Sequence, residues 1–454
     1  MSRNRLTALD ASFLRVESTE AHMHVGWAAL FAPAEDQPIP KFNALRDHVA
    51  ARLGRAPRYR QKLANVPFAM TDPVWVDDAD FDAAHHLRHA RGDDFQAVID
   101  EVLSEPLAHD RPLWELWIAD ELTDGRIGVV GKVHHCMVDG VAAVELSSLM
   151  LDANPDATAD CDDGWRATRP PAALELATDA VVARARRLTA AAALPWQLAR
   201  RPGAALGAGM KILRAARSSL AAAPPSPFNK AISHERLLGR ARRPLDDLRA
   251  VKSVHGGTVN DVLLAAAAGG LRRLMLERGE DPVPLKAMVP VSVRADGAAA
   301  ELGNRISFVF VELPSDEGDA EARLARVRAA MGAAKAGGEP EGGDVLLGAL
   351  EYAPRPFQQL AAQVVASPRT FNLVVSNIPG PPIPLYMAGC RLEEAYPVVP
   401  LADKHGVSIG MTTVEGDACL GIYADRQTVP DADRLAAAIA ESVDELALAN
   451  LERV

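Results

Sequence analysis

The sequence predicts an α/β protein of two mixed lobes, each combining sheet and helices, joined by a basic connector. Three observations carry this. The chain has 454 residues, 48% of them hydrophobic and 24% charged, which supplies real cores and exceeds one ordinary domain of about 150 residues. Strand-like and helix-like segments are mixed in both halves. Charge is also segregated: residues 184–243 hold 13 Lys/Arg against the single acid Glu235, a net +12, which leaves −23 for the rest of a chain whose total is −11.

The N-terminal lobe is expected over residues 1–150. Its clearest strand is Gly125–Val133, with Ile127, Val129 and Val133 on one face. Asp139–Met150 follows as a helix, with Val141, Val144, Ser148 and Leu149 at helical spacing. Residues 151–243 read as the Ala/Arg/Pro-rich connector, helical in parts and broken near Pro224, Pro225 and Pro227. The C-terminal lobe, 244–454, opens with a helix over Thr258–Arg273, where Thr258 and Asp261 form a capping-box variant. Strands follow at Leu285–Val293, Arg305–Leu313, Phe371–Ser376, Gly406–Thr412 and Ala418–Tyr423, rich in β-branched and aromatic residues between Gly and Pro. Helices are expected at Asp319–Ala334 and Ala432–Leu448.

Several function classes are excluded or disfavoured. A net charge of −11 argues against a general nucleic-acid binder. The four cysteines (Cys136, Cys161, Cys390, Cys419) form no CxxC pair, so neither a zinc knuckle nor a disulfide framework is indicated, and a reducing compartment is expected. Met1–Thr7 lacks the apolar core of a signal peptide. The uncharged run Thr370–Cys390 contains Pro379, Pro381, Pro382 and Pro384 and cannot be a spanning helix. A cytoplasmic protein, soluble or peripheral on a membrane, is the expectation.

The chemistry concentrates in His134-His135-Cys136-Met137-Val138-Asp139-Gly140, where a strand gives way to a helix. Side chains alternate along a strand, so the two histidines face opposite ways and only one can enter a given cleft. His135 shares a face with Val133, Gly131 and Val129. An imidazole can take a proton from a hydroxyl near neutral pH. The positive end of a helix starting at Asp139 would keep it neutral, and Gly140 would leave the mouth of the site open. The bland readings are His134 as a core histidine and Asp139 as a helix N-cap. Zinc is disfavoured, because adjacent strand histidines diverge, and His86 stands where the His85/His89 spacing of a zinc protease needs Glu. Gly406-Val407-Ser408-Ile409-Gly410 has the letters of a hydrolase elbow but reads as the start of a strand.

The chain resembles the bacterial wax ester synthase/acyl-CoA:diacylglycerol acyltransferase family. His134–Gly140 is similar to its His-His-x-x-x-Asp-Gly motif. Leu9–Leu14 with His22–Gly26, Pro112-Leu113-Trp114, Asn260-Asp261, Val289–Arg294, Gly303–Arg305 and Ser376–Pro381 resemble further blocks in the same order.

The resemblance implies a two-lobed chloramphenicol-acetyltransferase-like fold with a channel between the lobes. It implies transfer of a long-chain acyl group from acyl-CoA to a diacylglycerol or a long-chain alcohol, giving triacylglycerol or wax ester. No cofactor is implied, since acyl-CoA is a substrate. His135 would be the general base and His134 its support. Asp139 would hold the loop, with Arg294 as a candidate partner. Asn260 would position substrate or bond an oxyanion. Pro112-Leu113-Trp114 would pack the lobe, and Ser376-Asn377 would form a channel-lining turn. Water-insoluble acceptors imply a membrane or lipid-droplet surface, for which the basic stretch around Lys211–Leu220 is a candidate contact. The alternatives are a CoA-dependent acyltransferase acting on a polyketide or sugar alcohol, a peptide-condensation domain, and a non-catalytic lipid-surface protein.

Overall fold

In the computed structural model of the chain, the described residues are 5–34, 37–137, 149–157, 164–200, 221–292, 306–337, 355–380 and 382–448. Asp139, Gly140, Arg294, most of the helix expected over 139–150, and residues 201–220 of the basic stretch lie outside them.

The first half begins with helix α1 (Ala8–Val16), whose cap Thr7 accepts the N–H of Asp10 on its hydroxyl. Strand β1 (His24–Ala32) follows. Then come α2 (Phe42–Ala50), an antiparallel pair β2 (Gln61–Ala64) and β3 (Val74–Asp77), β4 (Leu87–His89), α3 (Phe95–Ser104), β5 (Trp114–Ala119) and β6 (Ile127–His134). After helix α4 (Ala173–Arg200), the second half runs β7 (Arg236–Pro244), α5 (Leu245–His255), α6 (Val259–Glu277), β8 (Leu285–Ser292), β9 (Ile306–Leu313), α7 (Ala320–Ala336) and α8 (Arg355–Val365). It ends with β10 (Leu373–Ile378), β11 (Tyr386–Met387), β12 (Cys390–Val398), β13 (Val407–Val414), β14 (Asp417–Asp425) and α9 (Ala432–Leu448). The strands expected from composition form within two residues of their expected ends.

Two six-stranded mixed sheets result, in the orders β11-β12-β1-β6-β5-β4 and β7-β14-β13-β10-β8-β9. Each has its own apolar core. One centres on Phe31, Ile99, Ile118 and Val129, the other on Val262, Leu271, Ile409 and Ile439. The sheets do not follow chain order. Arg236–Pro244, inside the expected connector, pairs with β14 along its whole length. Cys390–Val398, inside the expected C-terminal lobe, crosses over and pairs antiparallel with β1. Glycine makes the crossing possible: a Cβ at Gly421 would lie 2.2 Å from the carbonyl oxygen of Pro397 on β12.

Strand β6 departs from a simple alternation because every one of its residues is buried. Its second face carries Gly128, Val130, Lys132 and His134. Lys132 is accommodated there because its ammonium donates to the carbonyls of Val102 (2.9 Å) and Glu105 (2.8 Å) and faces Glu115 at 3.3 Å. Buried charges persist only when paired in this way.

The cap expected at Thr258 forms. The Asp261 carboxylate accepts from the backbone N–H (2.7 Å) and hydroxyl (2.8 Å) of Thr258, and the Thr258 hydroxyl accepts the N–H of Asp261. Asp261→Ala therefore lowers stability by about 1 kcal/mol in urea unfolding, whereas Asp261→Asn retains part of that, because an amide oxygen still accepts. Equal unfolding midpoints for Asp261→Ala and the parent would refute the cap.

Candidate active site

β1 and β6 run antiparallel and end together, with His24 opposite His134. The chain then makes one tight turn, His135–Met137. Two backbone bonds hold this end in place. His134 donates its N–H to the carbonyl of Leu113 (2.9 Å), and His135 donates its own to that of Met23 (2.7 Å). Pro112-Leu113-Trp114 thus supports the histidines directly. Leu113 and Trp114 are buried, Trp114 Nε1 donates to the Tyr59 carbonyl at 2.8 Å, and His86 stacks on the indole.

The strand stops at His134, so it is the turn and not strand alternation that aims His135. The His135 ring lies flat on Phe13 of α1, 3.6 Å between centroids and 14° from parallel. Burial pulls its pKa down to about 4, against the opposing pull of its own backbone carbonyl. Desolvation therefore keeps this base neutral. The helix dipole expected to do so begins at Asp139, outside the described residues.

His134 is fully buried. Its Nδ1 accepts the N–H of Cys136 (3.1 Å), and its Nε2 lies 3.4 Å from the carboxylate of Glu17. Glu17 also meets His109 Nε2 at 3.2 Å. Burial would raise the Glu17 pKa, but the adjoining imidazoles of His109 and His134 outweigh it and bring it down to about 2. Glu17 was not singled out from sequence. One signal existed: it caps the C-terminal end of α1, where a carboxylate opposes the helix dipole and needs a partner elsewhere. Beside this cluster, His22 is lowered to about 4 by burial and by Arg236, and His24 falls well below its usual value through burial and Lys132.

The other expected site residues sit on the second sheet and its helices. Asn260 is half-buried in the first turn of α6. Ser376 is buried and Asn377 half-buried, and both belong to strand β10, paired with Gly410 and Met411 of β13. The turn expected there starts only at Pro379, because the parallel partner keeps the strand extended through Ile378. Among the described residues, no hydrogen bond joins Asn260, Ser376 or Asn377 to the two histidines. Ser408 lies within β13 and donates to the Val399 carbonyl at 2.6 Å, so the Gly-x-Ser-x-Gly letters form no elbow. His86 donates from Nδ1 to the Trp114 carbonyl, and His89 meets Asp120 at 2.7 Å. No metal-holding cluster occurs among the described residues.

Two mixed sheets joined by a crossing strand, with His134 closing a central strand and His135 in the turn just beyond it, define a two-lobed, chloramphenicol-acetyltransferase-like acyltransferase fold. The first condensation domain of the calcium-dependent antibiotic synthetase shares this fold over 98% of the chain and 96% of its own (TM-score 0.56, 16% identity). The chain belongs to the wax ester synthase/diacylglycerol acyltransferase family: the family's catalytic domain matches residues 6–263 and its C-terminal domain residues 302–447. A probable diacylglycerol O-acyltransferase of Mycobacterium tuberculosis H37Rv is 32% identical over 98% of this chain and 96% of its own length. The solved wax ester synthase/diacylglycerol acyltransferase of Marinobacter aquaeolei VT8 superposes with a TM-score of 0.70 at 27% identity, covering 98% of this chain and 99% of that one.

The histidine cluster makes stability pH-dependent. An unfolded chain protonates these imidazoles near pH 6.5, whereas folded His22 and His135 wait until about 4 and His24 is held well below its usual value. Between those values the unfolded chain binds more protons, so stability falls as the pH drops. His48, His86 and His405, also lowered by burial, add to this. His109, raised by Glu17, and Asp100, raised by burial, oppose it. The urea midpoint should be lower at pH 5 than at pH 7.5; an equal or higher midpoint at pH 5 contradicts the buried neutral cluster.

Proposed function

We propose that the protein moves a long-chain acyl group from acyl-CoA to the hydroxyl of a diacylglycerol or a long-chain alcohol, with His135 as general base. The observation that carries the assignment is the His135 ring itself, stacked on Phe13 and held neutral by burial. The acceptor hydroxyl gives its proton to His135 as its oxygen attacks the thioester carbonyl. A tetrahedral oxyanion forms. As it collapses, the C–S bond breaks and the imidazolium returns the proton to the departing CoA thiolate. No covalent acyl-enzyme forms, so both substrates are bound together, in a channel between the lobes. His134 supports the base. Asp139, with Arg294 as its partner, holds the loop after the turn, and Gly140 keeps the entrance open. Asn260 bonds the oxyanion or orients a substrate, and Ser376 and Asn377 line the acceptor side. No cofactor or metal takes part.

The test uses purified protein, labelled palmitoyl-CoA, a chelator, and either hexadecanol or dioleoylglycerol. Wax ester or triacylglycerol is expected despite the chelator. His135→Ala should lower kcat by about 10²–10⁴-fold, the usual loss for a general base. Turnover at the parental rate by folded His135→Ala would refute the assignment.

The acceptors are insoluble in water, so the protein must meet them at a membrane or lipid-droplet surface. No described helix is long and apolar enough to cross a membrane. Peripheral attachment through the stretch 184–243, with its net +12, fits this. Each basic residue near an anionic surface contributes about 1 kcal/mol, and 1 M salt shortens the screening length to about 3 Å. Sedimentation with anionic vesicles should therefore fall on raising salt from 0.1 to 1 M. It should fall also when Arg184, Arg186, Arg187, Lys211, Arg214 and Arg217 are neutralised. Binding indifferent to both would exclude an electrostatic anchor.

A further inference from the structure

We propose that Glu17 is a positioning residue for acyl transfer, acting on the reacting imidazole through His134. Helix α1 reaches the site with two groups four residues apart, one turn of helix. Phe13 stacks on His135, and Glu17 faces His134 at 3.4 Å. The helix alone disfavours this arrangement, because a carboxylate at its C-terminal end meets the negative pole of the dipole. Two imidazoles, His109 and His134, compensate.

The hydrogen-bond pattern says what the carboxylate does. His134 Nδ1 accepts the N–H of Cys136, so in the neutral ring the proton sits on Nε2. Nε2 is buried, and among the described residues no group meets full hydrogen-bond geometry with it. The Glu17 carboxylate is its acidic neighbour within ion-pair distance. Take that carboxylate away and the buried Nε2–H loses the negative charge that faces it at 3.4 Å, with nothing in its place. The ring then gains by changing tautomer or turning over, and either change breaks the bond to Cys136. That bond closes the turn His135–Met137, from which the His135 ring is presented to Phe13. Glu17 thus sets the tautomer of one histidine in order to aim the other. His109, half-exposed, keeps the carboxylate ionised from the outer side.

This rests on His135 as the base, and the experiment separates the two ideas. It combines acyl-transfer kinetics with ring ¹⁵N spectra of histidine-labelled full-length protein. Glu17→Leu should lower kcat about 10–100-fold, the scale of leaving a buried polar group uncompensated, with KM for palmitoyl-CoA within about twofold. Glu17→Gln keeps an acceptor oxygen and should stay within about threefold of the parent in kcat. The His134 ring should show the Nε2–H pattern in the parent and in Glu17→Gln, and lose it in Glu17→Leu. In a His134→Asn background, adding Glu17→Leu should cost nothing further, because the path is already cut. Parental kcat in Glu17→Leu, full additivity with His134→Asn, or an unmoved His134 ring pattern would each overturn the proposal. If Glu17→Leu does not fold, Glu17→Gln decides: loss of the Nε2–H pattern despite its acceptor overturns the proposal, and its retention supports it. Parental turnover in His135→Ala would instead remove the base and leave the tautomer result standing.

Discussion

Desolvation of the paired strand ends of β1 and β6 is the constraint on which the site depends. Removing water from an imidazole disfavours its charged form. His24, His134 and His135 all sit where these strands finish, enclosed by α1 and by Leu113. That enclosure pulls the pKa of the His135 imidazole down to about 4, with no carboxylate against its ring among the described residues. The same enclosure has a cost, because every polar atom taken inside must find a partner. Lys132 finds two carbonyls and Glu115, the Nδ1 of His134 finds the N–H of Cys136, and Glu17 finds two imidazoles.

The second constraint is topological. Strand β12 leaves the second half of the chain to complete the first sheet, seated on β1, while Arg236 of β7 donates its N–H to the Ser104 hydroxyl beneath α3. The first sheet is not complete without β11 and β12 from the second half, whereas the second sheet is built from second-half strands throughout. The chain of the second half is thereby tied to the first sheet by the β1–β12 ladder as well as by the covalent connection. This suits a reaction that holds two substrates at once, since reacting groups must be kept in register while both are bound.

Some of the site was legible and some was not, for identifiable reasons. The doubled histidine followed by Asp139-Gly140 stands out because it combines a base with a strand-to-helix change. Pro112-Leu113-Trp114 was legible as packing, but not that the Leu113 carbonyl receives the N–H of His134, since that bond spans 21 residues of chain. Glu17 was illegible because its partners lie 92 and 117 positions away. Ser376 and Asn377 were misplaced into a turn because the prolines that follow dominate the local signal, whereas β13 decides where the strand ends.

By itself, then, the sequence determined what depends on local periodicity and on residue type: the strands it singled out to within two residues, the helices Ala320–Ala336 and Ala432–Leu448, and the capping box at Thr258. Side-chain alternation and cap chemistry act over a few residues and are written in order along the chain. The tertiary structure alone decided which strands share a sheet, that Arg236–Pro244 joins β14 while Cys390–Val398 crosses from the second half to β1, and that the His135 ring lies against Phe13 with its pKa pulled down. Those outcomes depend on distances between residues far apart in the chain, and on how much water is left between them, and neither quantity has a signature in local order.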